Sequence, residues 1–364
     1  MTSLDRFLMI VLLISLAYQL FYQLRFMTKI LGYTPAPQQT PRPVSLIIAA
    51  RNEAGNLQKH LPLWLHQNHP DYEIIIINDG STDRTEEVLD RFASEKKLKV
   101  IRVKTSAGKK QALTRGILSA RNEYLIFTDA DCRPATENWL ALMSSRFNRN
   151  KEIILGYGKY EVRTGWLNLM IRFETVITAL QYLGFALHGL PYMGVGRNLA
   201  YTRSLFAQNK GFEKHYDLLS GDDDLFVNEN ATSRNTSICI HPNAHTVSVP
   251  NTTWKDYIHQ KSRHYTTAYR YRNIHKIFLF LYASTQVLVW FVALYFLFDP
   301  GYRLYAAGIL AVKILISASI IHRGAKKLND PVPAYLVPIL EIQLVILQMI
   351  IFVRSMIKKT TSWH

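Results

Sequence analysis

Apolar residues fall into two kinds of run along this chain. Short ones occupy the middle: VSLIIAA (44–50), YEIIIIND (72–79), KVIRV (99–103) and YLIFTDAD (124–131). Three of the four are apolar almost throughout their first residues, without the alternation of a sheet that has one wet face. Such runs predict parallel strands buried on both sides. Helical patterning fills the gaps, at about 54–67, in STDRTEEVLDRFASEKK (81–97) and in KKQALTRGILSARN (109–122). In the second of these, Ser81 or Asp83 stands as a cap ahead of Glu86. Strand followed by helix, repeated, predicts an α/β layer with a parallel sheet and right-handed crossovers.

The long apolar runs lie at the two ends. Residues 7–26 are apolar through Leu24 apart from Ser15 and two glutamines, and 277–298 hold no charged side chain before the end of the run. Both are long enough for a hydrocarbon core of about 30 Å. Tyr, Gln and Arg follow the first run in place of a small-residue cleavage site, which predicts a retained membrane helix. Residues 305–321 and 332–353 are further candidates, interrupted by Lys313 and Glu341. A charge at that depth calls for a partner or a wet cavity. The organisation expected is an N-terminal membrane helix (1–33), a proline-rich linker (34–43) and a folded domain (44–250). An amphipathic interfacial helix (251–276) and a C-terminal membrane region of two or three helices (277–364) complete it.

Lys and Arg number 43 against 27 Asp and Glu, a net charge of +16. Basic residues gather beside membrane segments and attract anionic lipid. They form no stripe with a recognisable nucleic-acid module, so membrane lipids, and no nucleic acid, are the expected partners. The basic middle predicts a cytoplasmic domain on a multi-pass cell-membrane protein, with a bacterial inner membrane as the expected setting. HRGAKK (322–327) then lies on the same side, whereas three further crossings put Arg354, Lys358 and Lys359 on the other, against the rule. Either one C-terminal segment lies in the interface or the rule does not hold here. Cys132 and Cys239 are the two cysteines, too few for a disulfide framework or a cysteine metal knuckle. Asn-X-Ser/Thr triplets at Asn230, Asn235 and Asn251 carry no weight on a cytoplasmic domain.

The chemically suggestive residues of the first half all fall at the carboxyl ends of predicted strands, the edge where such sheets bind ligands. Arg51, Asn52 and Glu53 follow the first strand, Asp79 and Gly80 the second, Asp129 and Asp131 the fourth. Two carboxylates one residue apart, beside a phosphate, suit Mg2+ or Mn2+. A solvated acidic turn is the plainer alternative, and Asp79 on a neighbouring strand end favours the metal. Asp79 itself is a ligand group or a cap, and Lys109 after Gly108 is a phosphate ligand or a surface residue. In LLSGDDDLF (218–226) three successive Asp repel one another and are costly to bury, so they face water or supply a base. HQKSRHYTTAYRYR (259–272) puts Gln260 and Arg263 on one helical face among aromatics. That face either lies along a membrane or stacks on a ligand and binds its diphosphate. Residues 165–201 read as a core helix, or as an interfacial helix that admits a lipid tail.

Taken in order, SLIIAARNE, IIINDGSTD, FTDAD, GVGRNLAY, SGDDDLF and QKSRH resemble the motifs of the inverting family 2 glycosyltransferases. The membrane-embedded branch, which includes cellulose, chitin and hyaluronan synthases, is the one they resemble, from about residue 44 to 264. The resemblance implies an α/β fold, a GT-A type, Rossmann-like mixed sheet domain flanked by transmembrane helices. It implies a hexosyltransferase that uses a nucleotide-diphosphate sugar, a UDP-sugar first, with Mg2+ or Mn2+ and inversion at the anomeric carbon. The acceptor implied is a lipid or glycan at the cytoplasmic membrane face. By position, Ala50, Arg51, Glu53, Asp79, Lys109, Asp129, Gln260 and Arg263 would bind the donor, Asp79 at its uracil or ribose end. Asp131 and Asp129 would hold the metal, and Gly196, Arg197, Asn198 and His264 would meet the acceptor. Alignment on Gly-Asp-Asp makes Asp223 the general base, and alignment on Asp-X-Asp-Leu selects Asp222. Asn228, placed as in hyaluronan synthases, favours Asp223. His264 stands where the family usually has a tryptophan that helps hold the acceptor sugar, which counts against processive synthesis. A membrane-bound nucleotidyltransferase would share the sheet and the metal acids but gives no reason for SGDDDLF or Gln-X-X-Arg to follow. A catalytically inactive nucleotide-sugar-binding paralogue would have no need to keep every acid.

Overall fold

The computed structural model describes residues 2–357 apart from 36, 38, 219 and 265, and only the backbone of 264 and 355–357. Its central layer is a seven-stranded sheet in the order β3-β2-β1-β4-β8-β6-β9. These are β1 (Val44–Ala50), β2 (Tyr72–Asp79), β3 (Leu98–Val103), β4 (Tyr124–Phe127), β6 (Ile153–Gly156), β8 (Leu199–Thr202) and β9 (Thr236–Cys239). A small sheet, in the order β5-β10-β7, is made of β5 (Cys132–Pro134), β7 (Gly158–Tyr160) and β10 (Thr246–Ser248).

The parallel sheet read from the apolar runs holds for β1 to β4. Beyond them the sheet is mixed, as the resemblance implies, with β8 antiparallel to both β4 and β6. The chain reaches β8 only after a long helix has carried it across the domain, so no βαβ crossover fixes its direction. Every residue of β1 is buried, and side chains of alternate parity enter two cores. Ile47, Ile75 and Ile77 pack beneath α4 (Lys109–Ser119) and α6 (Trp166–Leu187). Leu46, Ile48, Ile74 and Ile76 pack beneath α2 (Ala54–Leu65), α3 (Thr85–Arg91) and α5 (Trp139–Ser144). Helix α3 is shorter than its pattern and has no side-chain cap. Asp83 instead accepts from the amides of Thr85 (3.0 Å) and Ala54 (3.2 Å), tying two loops together.

Among the described residues, four helices are long and apolar enough to cross a membrane: α1 (Ser3–Arg25), α10 (Asn273–Leu297), α11 (Arg303–Lys327) and α12 (Val337–Ile357). Large apolar side chains on their outer faces, such as Ile14, Phe280, Leu315 and Ile339, stand exposed, the surface a hydrocarbon layer would cover. The charges at Lys313 and Glu341 answer one another in a fully buried ion pair between α11 and α12, with Lys313 over the Trp290 ring. Lys358 and Lys359 lie outside the described residues.

Of the two readings of 165–201, the core helix is the one observed. Most of α6 is buried, and a Cβ at Gly184 would overlap the Phe26 carbonyl, so that glycine lets the helix lie against the chain that leaves α1. A second clamp joins α6 to the connection between α11 and α12. Arg172 Nε and Nη2 donate to Asp330 Oδ1 at 2.8 and 2.6 Å, and Tyr157 Oη donates to Asp330 Oδ2 at 2.9 Å. Asp330 is 1% exposed. Removing one partner of such a pair strands the other charge, at about 3–5 kcal/mol. Arg172→Leu is therefore expected to lower the melting temperature of the detergent-purified chain by several degrees, whereas Arg163→Leu, on an exposed pair, leaves it unchanged.

Candidate active site

The sheet order gathers the loops. β1 lies between β2 and β4, and all three run the same way, so their carboxyl ends deliver 51–53, 79–80 and 128–131 to one edge. Because β8 runs antiparallel to β4 with Leu199 opposite Phe127, the residues just before β8 arrive at that same edge. Thr128 Oγ1 fastens them there by donating to the Arg197 carbonyl at 2.9 Å. Gly80 has φ +64°, and a Cβ on it would come within 2.6 Å of the Ser106 amide nitrogen, so the loop before α4 crosses directly over it. Asp79, fully buried, holds that loop by accepting from Ser106 Oγ (2.7 Å), Ala107 N–H (2.9 Å) and Gly108 N–H (3.1 Å).

At the start of α4, Lys109 Nζ bridges two carboxylates, Asp129 Oδ1 at 2.9 Å and Asp222 Oδ2 at 2.8 Å. The three consecutive acids part company here. Asp222 is taken by Lys109. Asp223 accepts from Gly196 N–H at Oδ2 (2.6 Å) and from Asp224 N–H at Oδ1 (2.7 Å). Asp224, the first residue of α8 (Asp224–Asn230), accepts from the hydroxyls of Thr267 and Tyr271 and so anchors the chain that leads to α10. Neither predicted alternative, water or base, covers all three acids, because each has found a different partner.

Their proton affinities diverge accordingly. Burial would raise Asp222, but the charge and hydrogen bond of Lys109 outweigh it and hold Asp222 below the usual carboxylate range. Burial raises Asp223, the charges of Asp222 and Asp224 add to the effect, and the result is about 7. Burial likewise raises Glu53 to about 7, against the bond from Asn56. Asp129, Lys109, Asp222, Asp223 and Gly196 line one pocket, floored by Tyr201.

Ligand atoms of Asp129, Asp131 and Cys132 lie within 4.8 Å of one another. Burial and the neighbouring Asp129 raise Asp131, the condition that an added cation relieves. The two carboxylates are hard oxygen donors of the kind Mg2+ and Mn2+ take. Cys132 does not match them. Its thiol is buried and pushed up, donates to Asp131 Oδ1 (3.1 Å) and meets Ser248 Oγ (2.9 Å), so it serves to orient Asp131. The site fits a divalent ion held by Asp129 and Asp131.

The structure brings Ala50, Arg51, Glu53, Asp79, Lys109, Asp129, Asp131, Gly196, Arg197, Asp222 and Asp223 to this edge. Asn198 lies behind this edge, where its buried amide donates to Tyr157 O (3.0 Å) and Ala244 O (2.8 Å) and accepts from Trp139 Nε1 (3.0 Å). Arg197 stacks over the Tyr160 ring. Gln260 and Arg263 sit on α9 (Trp254–His264), which packs against α12 and is tied to α6 where Tyr257 Oη and Lys261 Nζ meet Glu174. Neither lines the pocket, and Gln260 Oε1 accepts from Asn251 at 2.8 Å. The His264 side chain lies outside the described residues. Sequence reasoning passed over Lys110, Cys132 and Thr267. Lys110 left a signal, since it shares the spacing of Leu113 and Ile117 on the buried stripe of α4.

A family model described as Glycosyl transferase family 2 matches residues 45–209. Those residues form a family 2 glycosyl transferase domain. Among curated relatives, poly-beta-1,6-N-acetyl-D-glucosamine synthase of Staphylococcus epidermidis is 39% identical over 88 residues, 24% of this chain and 21% of that protein. Beta-monoglucosyldiacylglycerol synthase of Nostoc sp. is 32% identical over 137 residues, 36% of this chain and 28% of that protein. Each alignment thus spans less than a third of the relative. Among solved structures, the mannosyltransferase PcManGT of Pyrobaculum calidifontis, in complex with GDP-Man and Mn2+, has a TM-score of 0.61. That match covers 89% of this chain and 98% of the other at 18% identity, which shows the shared GT-A type fold. For the family 2 domain, Asp131→Asn is expected to weaken Mn2+ binding at least tenfold, read as free Mn2+ by electron paramagnetic resonance, while Asp71→Asn, on an exposed pair, has no effect.

Proposed function

We propose that this chain transfers a sugar from a nucleotide-diphosphate donor to a lipid or glycan acceptor at a membrane face, with a divalent metal and with inversion. The observation that carries the reading is the division of labour around Lys109. Acids suited to a cation stand on one side of it, and on the other stands Asp223, which makes no ion pair among the described residues and is raised toward neutrality. A metal held by Asp129 and Asp131 would neutralise charge on the departing diphosphate. Lys109, whose ammonium already meets Asp129, is placed to follow that charge when a phosphate enters. Asp223 takes the proton of the attacking hydroxyl, because its carboxylate near pH 7 is a stronger base than the ion-paired Asp222. Gly196 N–H fixes the Oδ2 of that carboxylate, so the lone pairs that remain are aimed by the backbone. Attack from the face opposite the leaving group inverts the anomeric centre.

The four long apolar helices found among the described residues support an acceptor within reach of a bilayer, and the basic segments beside them favour a cytoplasmic domain. The names of the relatives support both acceptor classes, a glycan polymer for the Staphylococcus protein and a diacylglycerol lipid for the Nostoc one. Membranes containing the chain should be incubated with Mn2+ and a panel of labelled UDP- and GDP-sugars, then extracted with organic solvent. Label in the extract or in insoluble glycan, with release of free nucleoside diphosphate, is the expected result. Pyrophosphate release would point to nucleotidyl transfer instead.

Two outcomes follow from Asp223. Asp223→Asn should lower turnover by about 10²–10⁴ while UDP or GDP still binds by calorimetry, and an active variant would refute the assignment. Because the carboxylate form exists only above its pKa of about 7, kcat/KM should fall as pH drops below that value. The fall should persist in Glu53→Gln, since Glu53 titrates in the same range.

A further inference from the structure

Helix α4 begins with two lysines, and only the first reaches the acids. Lys110 turns inward with Leu113 and Ile117 and is 4% exposed. Its Nζ donates to the carbonyls of His215 (2.5 Å) and Leu218 (2.6 Å), in the irregular segment that leads into the acid cluster. Among the described residues, those two backbone oxygens are its polar partners. A buried ammonium is a costly staple when a neutral donor would satisfy two carbonyls. The charge has a use, because Asp217, Asp222, Asp223 and Asp224 all lie within its electrostatic reach. Burial still leaves Lys110 easier to deprotonate than an ordinary lysine.

The attachment of α4 completes the picture. Asp79 holds 106–108, the residues that precede both lysines, and Lys110 holds 215–218, the residues that precede Gly221 and the acids. Gly221, at φ +103°, makes the turn between anchor and acids. One short strap therefore runs from the strand-end acid of β2 to the loop that presents Asp222 and Asp223.

We propose that Lys110 is a positioning residue for Asp223, its ammonium pinning the 215–218 carbonyls and lending the acid cluster a positive charge that never touches substrate. The proposal rests on the reading of Asp223 as the base. The test compares Lys110→Met and Lys110→Arg in the purified full chain. In Lys110→Met, hydrogen exchange of the 211–224 amides should speed at least tenfold, while binding of UDP or GDP with Mn2+ stays within twofold. Turnover of the nucleotide sugar found in the panel should fall at least tenfold in kcat with donor KM held. The acid limb should move to higher pH, because a positive charge near Asp223 is gone. Lys110→Arg should restore loop protection and limb together. Unchanged exchange overturns the proposal, and so does faster exchange with an unmoved limb, which would make Lys110 a staple and nothing more. Absence of turnover in the unaltered chain would sink the transferase reading separately, with unchanged exchange in Lys110→Met still counting against the loop anchor.

Discussion

The Lys109 ammonium stands between Asp129 and Asp222, 2.9 and 2.8 Å away, and the acidic pocket depends on that bridge. Asp129, Asp131, Asp222, Asp223 and Asp224 arrive at one sheet edge from two distant stretches of chain. Mutual repulsion and the loss of water disfavour the charged form of carboxylates gathered so closely. One lysine charge, placed off-centre, breaks the symmetry. Of the three consecutive acids, Asp222, which it touches, stays ionised, Asp223 is left raised, and Asp224 is absorbed by Thr267 and Tyr271. Functional difference among neighbours of identical type thus comes from partners, each fixed by backbone placement.

The membrane helices contribute to the same geometry from outside. The connection between α11 and α12 inserts Asp330 beneath α6, where Arg172 and Tyr157 grip it. The Tyr157 carbonyl accepts from Asn198, next to the Gly196–Arg197 segment that aims Asp223. Asn198 is thereby part of the frame. Deeper in the bundle, the buried pair of Lys313 and Glu341 joins α11 to α12. A domain attached this firmly holds its acids in a set position relative to the long apolar helices.

Much of the fold was legible along the chain. The runs at 44–50, 72–79 and 124–127 read as strands because continuous burial on both faces leaves no room for polar alternation. The acids after them read as a site because parallel strands send their carboxyl ends to one edge. The antiparallel β8 was not legible, since LAYT carries no mark of direction and the preceding 22-residue helix could deliver it either way. The position of Gln260 and Arg263 was not legible for a related reason. A polar helical face records that it meets something polar, not where its helix is docked, and α9 is docked on α12 and Glu174.

Residue order alone determined the α/β alternation, the long apolar runs at both ends and the gathering of Asp79, Asp129 and Asp131, because period and run length are properties a single strand or helix already has. Only the tertiary structure decided which of Asp222, Asp223 and Asp224 is paired, poised or tied down, and that Lys110 faces inward. Those outcomes turn on contacts between segments from 27 to more than 100 residues apart, where a distance of one or two ångströms selects the partner and the sequence carries no measure of distance.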